Sequence, residues 1–244
     1  MAKTTDNKKN ARLFWLLFAS PFLLIGLIIS SIILGLFGEL PSLEELENPK
    51  SLLASQVISA DQKVLGSYYA VNRTQARYEN LSPDLVNALV ATEDARFYEH
   101  SGIDFRALGR VIKGVLTGNT SSGGGSTITQ QLAKQLFNTR KAMSGGIVIE
   151  KLSEWIIAVK LERRYTKQEI LTMYLNEFDF LHNAVGIQNA ATVYFNTSPD
   201  SLKIEEAACL VGMAKNPALF NPRRRPDTTE HRRNVVMMQM VNYG

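Results

Sequence analysis

The sequence predicts a mainly α-helical domain carried on one N-terminal transmembrane helix, with a small β-hairpin near the membrane. Three observations lead there. Residues Leu13 to Gly38 form a run without a single charge. From Pro83 onward, apolar residues recur at helical spacing behind recognisable cap residues. The β-favouring stretch, Gln56 to Tyr69, is short and interrupted at Ala60-Asp61-Gln62, as in a hairpin.

The 244 residues, 45% hydrophobic, suffice for one globular domain with a real core and an additional segment. That segment is at the front. Residues 1–12 are read as a cytoplasmic tail, 13–38 as the anchor, 39–80 as a juxtamembrane spacer with the hairpin, and 81–244 as the domain. The chargeless run is far longer than the apolar core of a signal peptide, and no small-x-small cleavage site is evident. Lys3, Lys8, Lys9 and Arg12 precede it, which favours an N-terminus in the cytoplasm and the remaining chain outside. Pro21 is tolerable inside such a span.

Cys209 is the single cysteine, so no intrachain disulfide can form and packing must hold the fold. A net charge of +4 is modest. With no zinc, helix-turn-helix or aromatic-basic signature, it does not indicate nucleic acid. On an anchored domain it fits anionic headgroups or a phosphate-bearing substrate.

Leu43 to Lys50 is acidic and bounded by prolines, which suits a spacer. Ser82 and Pro83 then read as N-cap and first residue of a helix, with Asp84 at its positive end. Asp104 opens another, whose apolar face (Phe105, Leu108, Val111, Ile112, Val115, Leu116) lies beside a basic one (Arg106, Arg110, Lys113). That helix either dips into the headgroup layer or packs its apolar face on the core. A Gly/Ser/Thr loop, Thr117 to Gly125, leads to a helix that Thr127 and Gln130 start with capping-box spacing, apolar along Ile128, Leu132 and Leu136. A helix from Ile149 to Arg164 follows, with Leu152, Trp155, Ile156 and Val159 as its expected core stripe. Thr166 and Glu169 form a second capping box, and Asn216 to Pro226 is a Pro-punctuated tail before a last helix from Asp227.

The chemistry centres on Glu93. Leu85, Leu89, Glu93 and Phe97 recur every four residues, placing a carboxylate in a buried stripe beside Asp94, where desolvation and like charge disfavour the anion. That suits a general base, although a stripe can also end in a solvated residue. The glycine loop fails two named tests: Gly124 stands where a P-loop needs lysine, and Ser126 lacks the following glycine of a nucleophile elbow. Flexible glycines before a helix start can still receive an anion, with Lys134 adding charge. Lys151 and Glu154, three apart, are either a solvated surface pair or carry a second catalytic carboxylate; Glu150 adds a like charge four before Glu154. His100, His182 and His231 have no metal-ligand spacing, so no metal site is expected from them.

Together these segments resemble the peptidoglycan glycosyltransferase (transglycosylase) domain of class A penicillin-binding proteins and monofunctional transglycosylases. Glu93-Asp-Ala-Arg-Phe97-Tyr-Glu-His100-Ser-Gly102 fits the family's E-D-x-x-F-x-x-H-x-G, and Gly124-Gly-Ser-Thr-Ile-Thr-Gln-Gln-Leu-Ala-Lys134 reproduces its second motif. Lys151 to Glu154, Lys167 to Asn176, and Arg232-Arg-Asn-Val-Val supply the third, fourth and fifth. The resemblance implies a lysozyme-like fold that polymerises lipid II into glycan strands on the outer face of the cytoplasmic membrane. It makes Glu93 the base that takes the proton of the acceptor 4-hydroxyl, which displaces undecaprenyl diphosphate with inversion.

Carried over residue by residue, Glu154 is the second essential glutamate. Lys134, Lys151, Arg110 and Arg140 surround the donor diphosphate. Ser126, Thr127, Gln130 and Gln131 contact substrate, and Asp94, Phe97, His100 and Asn176 join the binding residues as motif positions. No cofactor is required; a divalent metal near Glu154 is sometimes used. The partners implied are lipid II, the growing strand, membrane lipids and other cell-wall synthesis proteins. Two departures stand out: Glu150 replaces a usual arginine, and Leu181 and Asn183 stand where glycines are usual. The chain ends at Gly244, where class A proteins run on into a transpeptidase domain, and truncation from a longer protein is favoured over a monofunctional enzyme. With no S-x-x-K in the chain, penicillin binding is not expected of it. A glycan-cleaving lysozyme-like enzyme and a non-catalytic cell-wall scaffold are the alternatives.

Overall fold

The computed structural model describes residues 3–42, 55–58, 64–68, 75–118, 124–137, 139 and 145–243. The spacer at Leu43 to Lys50, the expected turn at Ala60-Asp61-Gln62 and much of the glycine loop fall outside them.

Helix α1, Lys3–Ile33, contains Pro21, and its stretch Asn10–Ile33 is long and apolar enough to cross a membrane. The helix stops five residues before the chargeless run does. Leu34 to Gly38 turn instead, with Gly35 and Gly38 at positive φ. Strands β1, Ser55–Ile58, and β2, Val64–Tyr68, pair antiparallel with an irregular register between Val57 and Ile58.

The domain is helical. Helix α2 (Pro83–Glu93) has Ser82 as N-cap, its Oγ accepting from the Leu85 N–H. Helix α3 is Phe105–Leu116, α4 Ile128–Phe137, α5 Ile147–Arg164 and α6 Lys167–Glu177. Helices α7 (Ile187–Phe195), α8 (Ile204–Lys215) and α9 (Pro226–Tyr243) complete the order. Helices α2, α8 and α9 pack on one another, and α4 packs on α5 and α6. The core joins both groups through Leu85, Leu89, Leu132, Ile157, Leu161, Ile170 and Tyr174.

Several expectations change. The stripe from Leu85 does not continue helically to Phe97: α2 ends at Glu93, Asp94 takes φ −158° and ψ 73°, and Phe97 is buried from a 3-10 turn. Helix α5 buries Ile149, Ser153, Glu154, Ile157, Ala158 and Leu161, not the expected Leu152, Trp155, Ile156 and Val159, which are only half-buried. The physical reason is close approach. Gly102, at φ +93°, lies so near α5 that a Cβ there would stand 2.9 Å from the Ala158 carbonyl, so the helix meets this segment at backbone distance on the face that carries the small, buried Ala158. Helix α3 does not pack its apolar face on the core: Phe105, Ile112, Val115 and Leu116 are exposed, and the buried residues are Ala107 and Gly114. At Thr166 and Glu169 the capping box forms in full. Thr127 caps α4 by accepting from the Gln130 N–H, but Gln130 turns its side chain to the Gly102 carbonyl, so that box is half made.

Candidate active site

Glu93 is the last residue of α2, so its carboxylate projects from a helix end into a cleft of about 670 Å³ between α2, α9 and the start of α4. Arg110, Ser126, Thr127 and Arg232 also line that cleft. One carboxylate oxygen of Glu93, Oε2, accepts from Gln131 Nε2 at 2.9 Å. The other, Oε1, stands 3.9 Å from Arg232 Nη2. Burial pulls the Arg232 guanidinium below its ordinary value, against the upward pull of Glu93. The acid is thus neither in open solvent nor sealed in.

Asp94 does not stand against Glu93 as a second free charge. Both its oxygens lie 3.0 Å from His100 Nε2, and Oδ2 accepts from the Ile128 N–H, the first of α4. His100 Nδ1 accepts from the Gly102 N–H, so Nε2 carries the proton that bonds to Asp94. One carboxylate therefore ties the end of α2 to the start of α4, where a negative charge suits the helix dipole.

The second glutamate is deeply placed. Glu154 is 1% exposed, its Oε2 is 2.6 Å from Lys151 Nζ, and its Oε1 has no hydrogen-bond partner among the described residues. The solvated-pair reading is thereby corrected: the lysine is accessible, the carboxylate is not. Lys151 Nζ also reaches Ser126 Oγ at 3.3 Å, which joins this pair to the cleft wall. Lys134 Nζ lies 3.5 Å from Glu150 Oε1, so the residue that departs from the family pattern is an internal partner for a candidate diphosphate lysine.

Other expected contacts belong to the framework. Phe97 is fully buried beneath Lys167, whose Nζ sits 4.2 Å from the ring centroid and donates to the His100 carbonyl and to Glu162. Asn176 spends both ends of its amide on the backbone of Ala76 and faces a separate cavity of about 700 Å³. Thr127 Oγ1 and Gln130 Nε2 both donate to the Gly102 carbonyl, and both residues are buried. Gln131 holds Glu93. Ser126, Lys151 and Arg110 remain placed for a ligand, and Arg140 lies outside the described residues. Arg232 was not among the expected site residues; its presence in the fifth motif was the available signal.

Among the described residues no three or more His, Cys, Asp or Glu are placed to share a metal ion. Glu150 and Glu154 are each turned to a lysine.

Comparison with known proteins shows the family. The transglycosylase family model matches residues 61–241. The chain is 35% identical over 206 residues to penicillin-binding protein 1A of Escherichia coli, covering 84% of this chain and 24% of that protein. To penicillin-binding protein 1A/1B of Bacillus subtilis it is 39% identical over 214 residues, 85% of this chain and 22% of the relative. Penicillin-binding protein 1A of Aquifex aeolicus matches 91% of this chain with 30% of its own length, at 35% identity. A crystal structure of penicillin-binding protein 1A from Haemophilus influenzae aligns with TM-score 0.41 at 21% identity, over 79% of this chain and 19% of that one. The chain spans about a quarter of the length of these curated relatives.

Proposed function

The chain belongs to the transglycosylase family, and on that premise we propose that it polymerises lipid II into peptidoglycan glycan strands. The observation that carries the reading is the Glu93 carboxylate, held in the cleft by one oxygen with the other turned to it.

Glu93 Oε1 takes the proton of the acceptor sugar's 4-hydroxyl as that oxygen bonds to the anomeric carbon of the donor. The anomeric carbon inverts, and the bond to undecaprenyl diphosphate breaks. Negative charge grows on the leaving diphosphate. Lys151, held by Glu154 and Ser126, with Lys134 and Arg110, supplies cations for it. Glu154 acts by fixing Lys151, a positioning role that its burial favours over direct contact with sugar.

Helix α1 anchors the domain with its N-terminus in the cytoplasm and the cleft on the outer face. The exposed Phe105, Ile112, Val115 and Leu116 of α3 rest in the lipid headgroup layer, where the substrate's polyprenyl tail enters. Other cell-wall synthesis proteins are its partners.

Lipid II incubated with the whole chain in detergent or liposomes tests this. Glycan polymer should accumulate, and Glu93→Gln should slow its formation at least about 100-fold. Undiminished polymerisation by that variant, or degradation of finished glycan with lipid II untouched, would refute the reading.

A further inference from the structure

We propose that Tyr174 is a positioning residue for the base, acting through Gln131 to hold the Glu93 carboxylate with one oxygen tied back and the other presented to the cleft. Three helices meet in this relay. Tyr174 on α6 donates from its hydroxyl to Gln131 Oε1 at 3.1 Å, and Gln131 on α4 donates from Nε2 to Glu93 Oε2 at 2.9 Å. Glu93 closes it from the end of α2.

A glutamine amide has two orientations of nearly equal shape and opposite hydrogen-bond sense. Facing an ionised carboxylate, only the one with the NH₂ toward Glu93 is tolerable, since the other sets oxygen against oxygen. That orientation turns the amide oxygen inward, toward Tyr174, which is 1% exposed. A buried amide oxygen without a donor is costly, and the Tyr174 hydroxyl is the donor that meets it. Burial first, and the charge of Glu93 second, push that phenol far above its ordinary value, so it keeps its proton and remains a donor.

The consequence is at Oε1. Among the described residues it accepts no hydrogen bond and has Arg232 as its charged neighbour at 3.9 Å, while Asp94 is committed to His100 and α4. Proton transfer from the acceptor hydroxyl is thereby directed to one oxygen. Gln131 then acts on the base and not on the sugar, unlike the substrate contact that its motif position implied.

The inference rests on the polymerase reading, and the test separates the two. Initial rates of lipid II polymerisation are measured for wild type, Tyr174→Phe, Gln131→Met and the double variant, below the unfolding midpoint of each. Tyr174→Phe should lower kcat about tenfold, the rate equivalent of one hydrogen bond, with KM for lipid II changed less than about twofold. The double variant should be no slower than Gln131→Met, because both substitutions break one path. Unchanged kcat in Tyr174→Phe, a loss that falls on KM, or losses that multiply in the double variant would overturn the relay while leaving the polymerase standing. A wild type that consumes no lipid II would overturn both.

Discussion

Replacing Lys151 by methionine should destabilise the domain, and removing the charge of Glu154 as well should restore much of what is lost. Glu154 is 1% exposed, and Lys151 Nζ, at 2.6 Å from Oε2, is the cation paired with it. At an effective dielectric of about 20, the attraction at that separation is about 6 kcal/mol. Much of that is offset by lost hydration of the carboxylate and by water reaching the lysine, whose side chain is 41% exposed. Stranding a fully buried charge costs about 3–5 kcal/mol; with this screening the expected loss is about 2 kcal/mol. For a domain of this size that is a fall of about 4–8 °C in Tm. Lys151→Met/Glu154→Gln removes the stranded charge and should recover at least half of the fall. Thermal unfolding followed by circular dichroism, on the whole chain in one detergent, reads both numbers. A double variant as unstable as Lys151→Met, or a single variant within about 1 °C of wild type, would refute a buried charge held by that lysine.

Three further outcomes rest on other contacts of the same domain. Glu150→Gln frees Lys134 from its 3.5 Å partner, so inhibition of polymerisation by inorganic pyrophosphate should strengthen about threefold, the scale of one exposed ion pair; Glu150→Arg should go further. Gly102→Ala would place a Cβ 2.9 Å from the Ala158 backbone at φ +93° and should cost about 2–3 kcal/mol, read as a fall in the unfolding midpoint. Burial alone would raise the Asp104 carboxyl, but the N–H groups of Ala107 and Arg106 and the Arg96 guanidinium hold it below its ordinary 3.8. The unfolded chain therefore takes up this proton at a higher pH than the folded one. The stabilisation is complete above about pH 5 and is lost as pH falls through the depressed value. Asp104→Ala should cost about 1–2 kcal/mol at pH 7, with the difference from wild type narrowing below about pH 4.

Local chemistry was legible where its cause is local. The caps at Ser82, Asp104 and Thr166 act on N–H groups two or three residues away, and each forms. The end of α2 was not legible, because Asp94 leaves the helix to meet a backbone N–H at Ile128, 34 residues on. The same holds for Glu154: a lysine and a glutamate three apart read as a surface pair, and only the packing of α4 and α6 beside α5 shows one of them buried. Helices α7 and α8 had no expectation attached to them. Leu181 and Asn183 stand where glycines are usual, and the structure gives that a physical content: Leu181, His182 and Asn183 all take positive φ, the region where glycine is least strained. The turn is held regardless, by the Phe180 N–H on the Ala184 carbonyl and the Gly186 N–H on the Phe178 carbonyl.

The hydrogen bond from Gln131 to Glu93 has a wider consequence than steadying one side chain. Glu93, the proposed base, sits on the group formed by α2, α8 and α9, whereas Lys134, Lys151 and Glu154 belong to α4 and α5 of the other. The inverting displacement proposed above would need its base and its leaving-group cations on opposite sides of one carbon, which would make the separation of the two groups a catalytic dimension. Two polar links fix it here, Gln131 to Glu93 and Asp94 to the start of α4. They are adjacent in sequence at the end of α2 and a turn apart on α4, so a shift of either helix along its axis would strain both. On the proposed reading the E-D pair of the first motif divides the work: Glu93 is the base, and Asp94, by tying the end of α2 to the start of α4, sets how far that base stands from the charge that must leave.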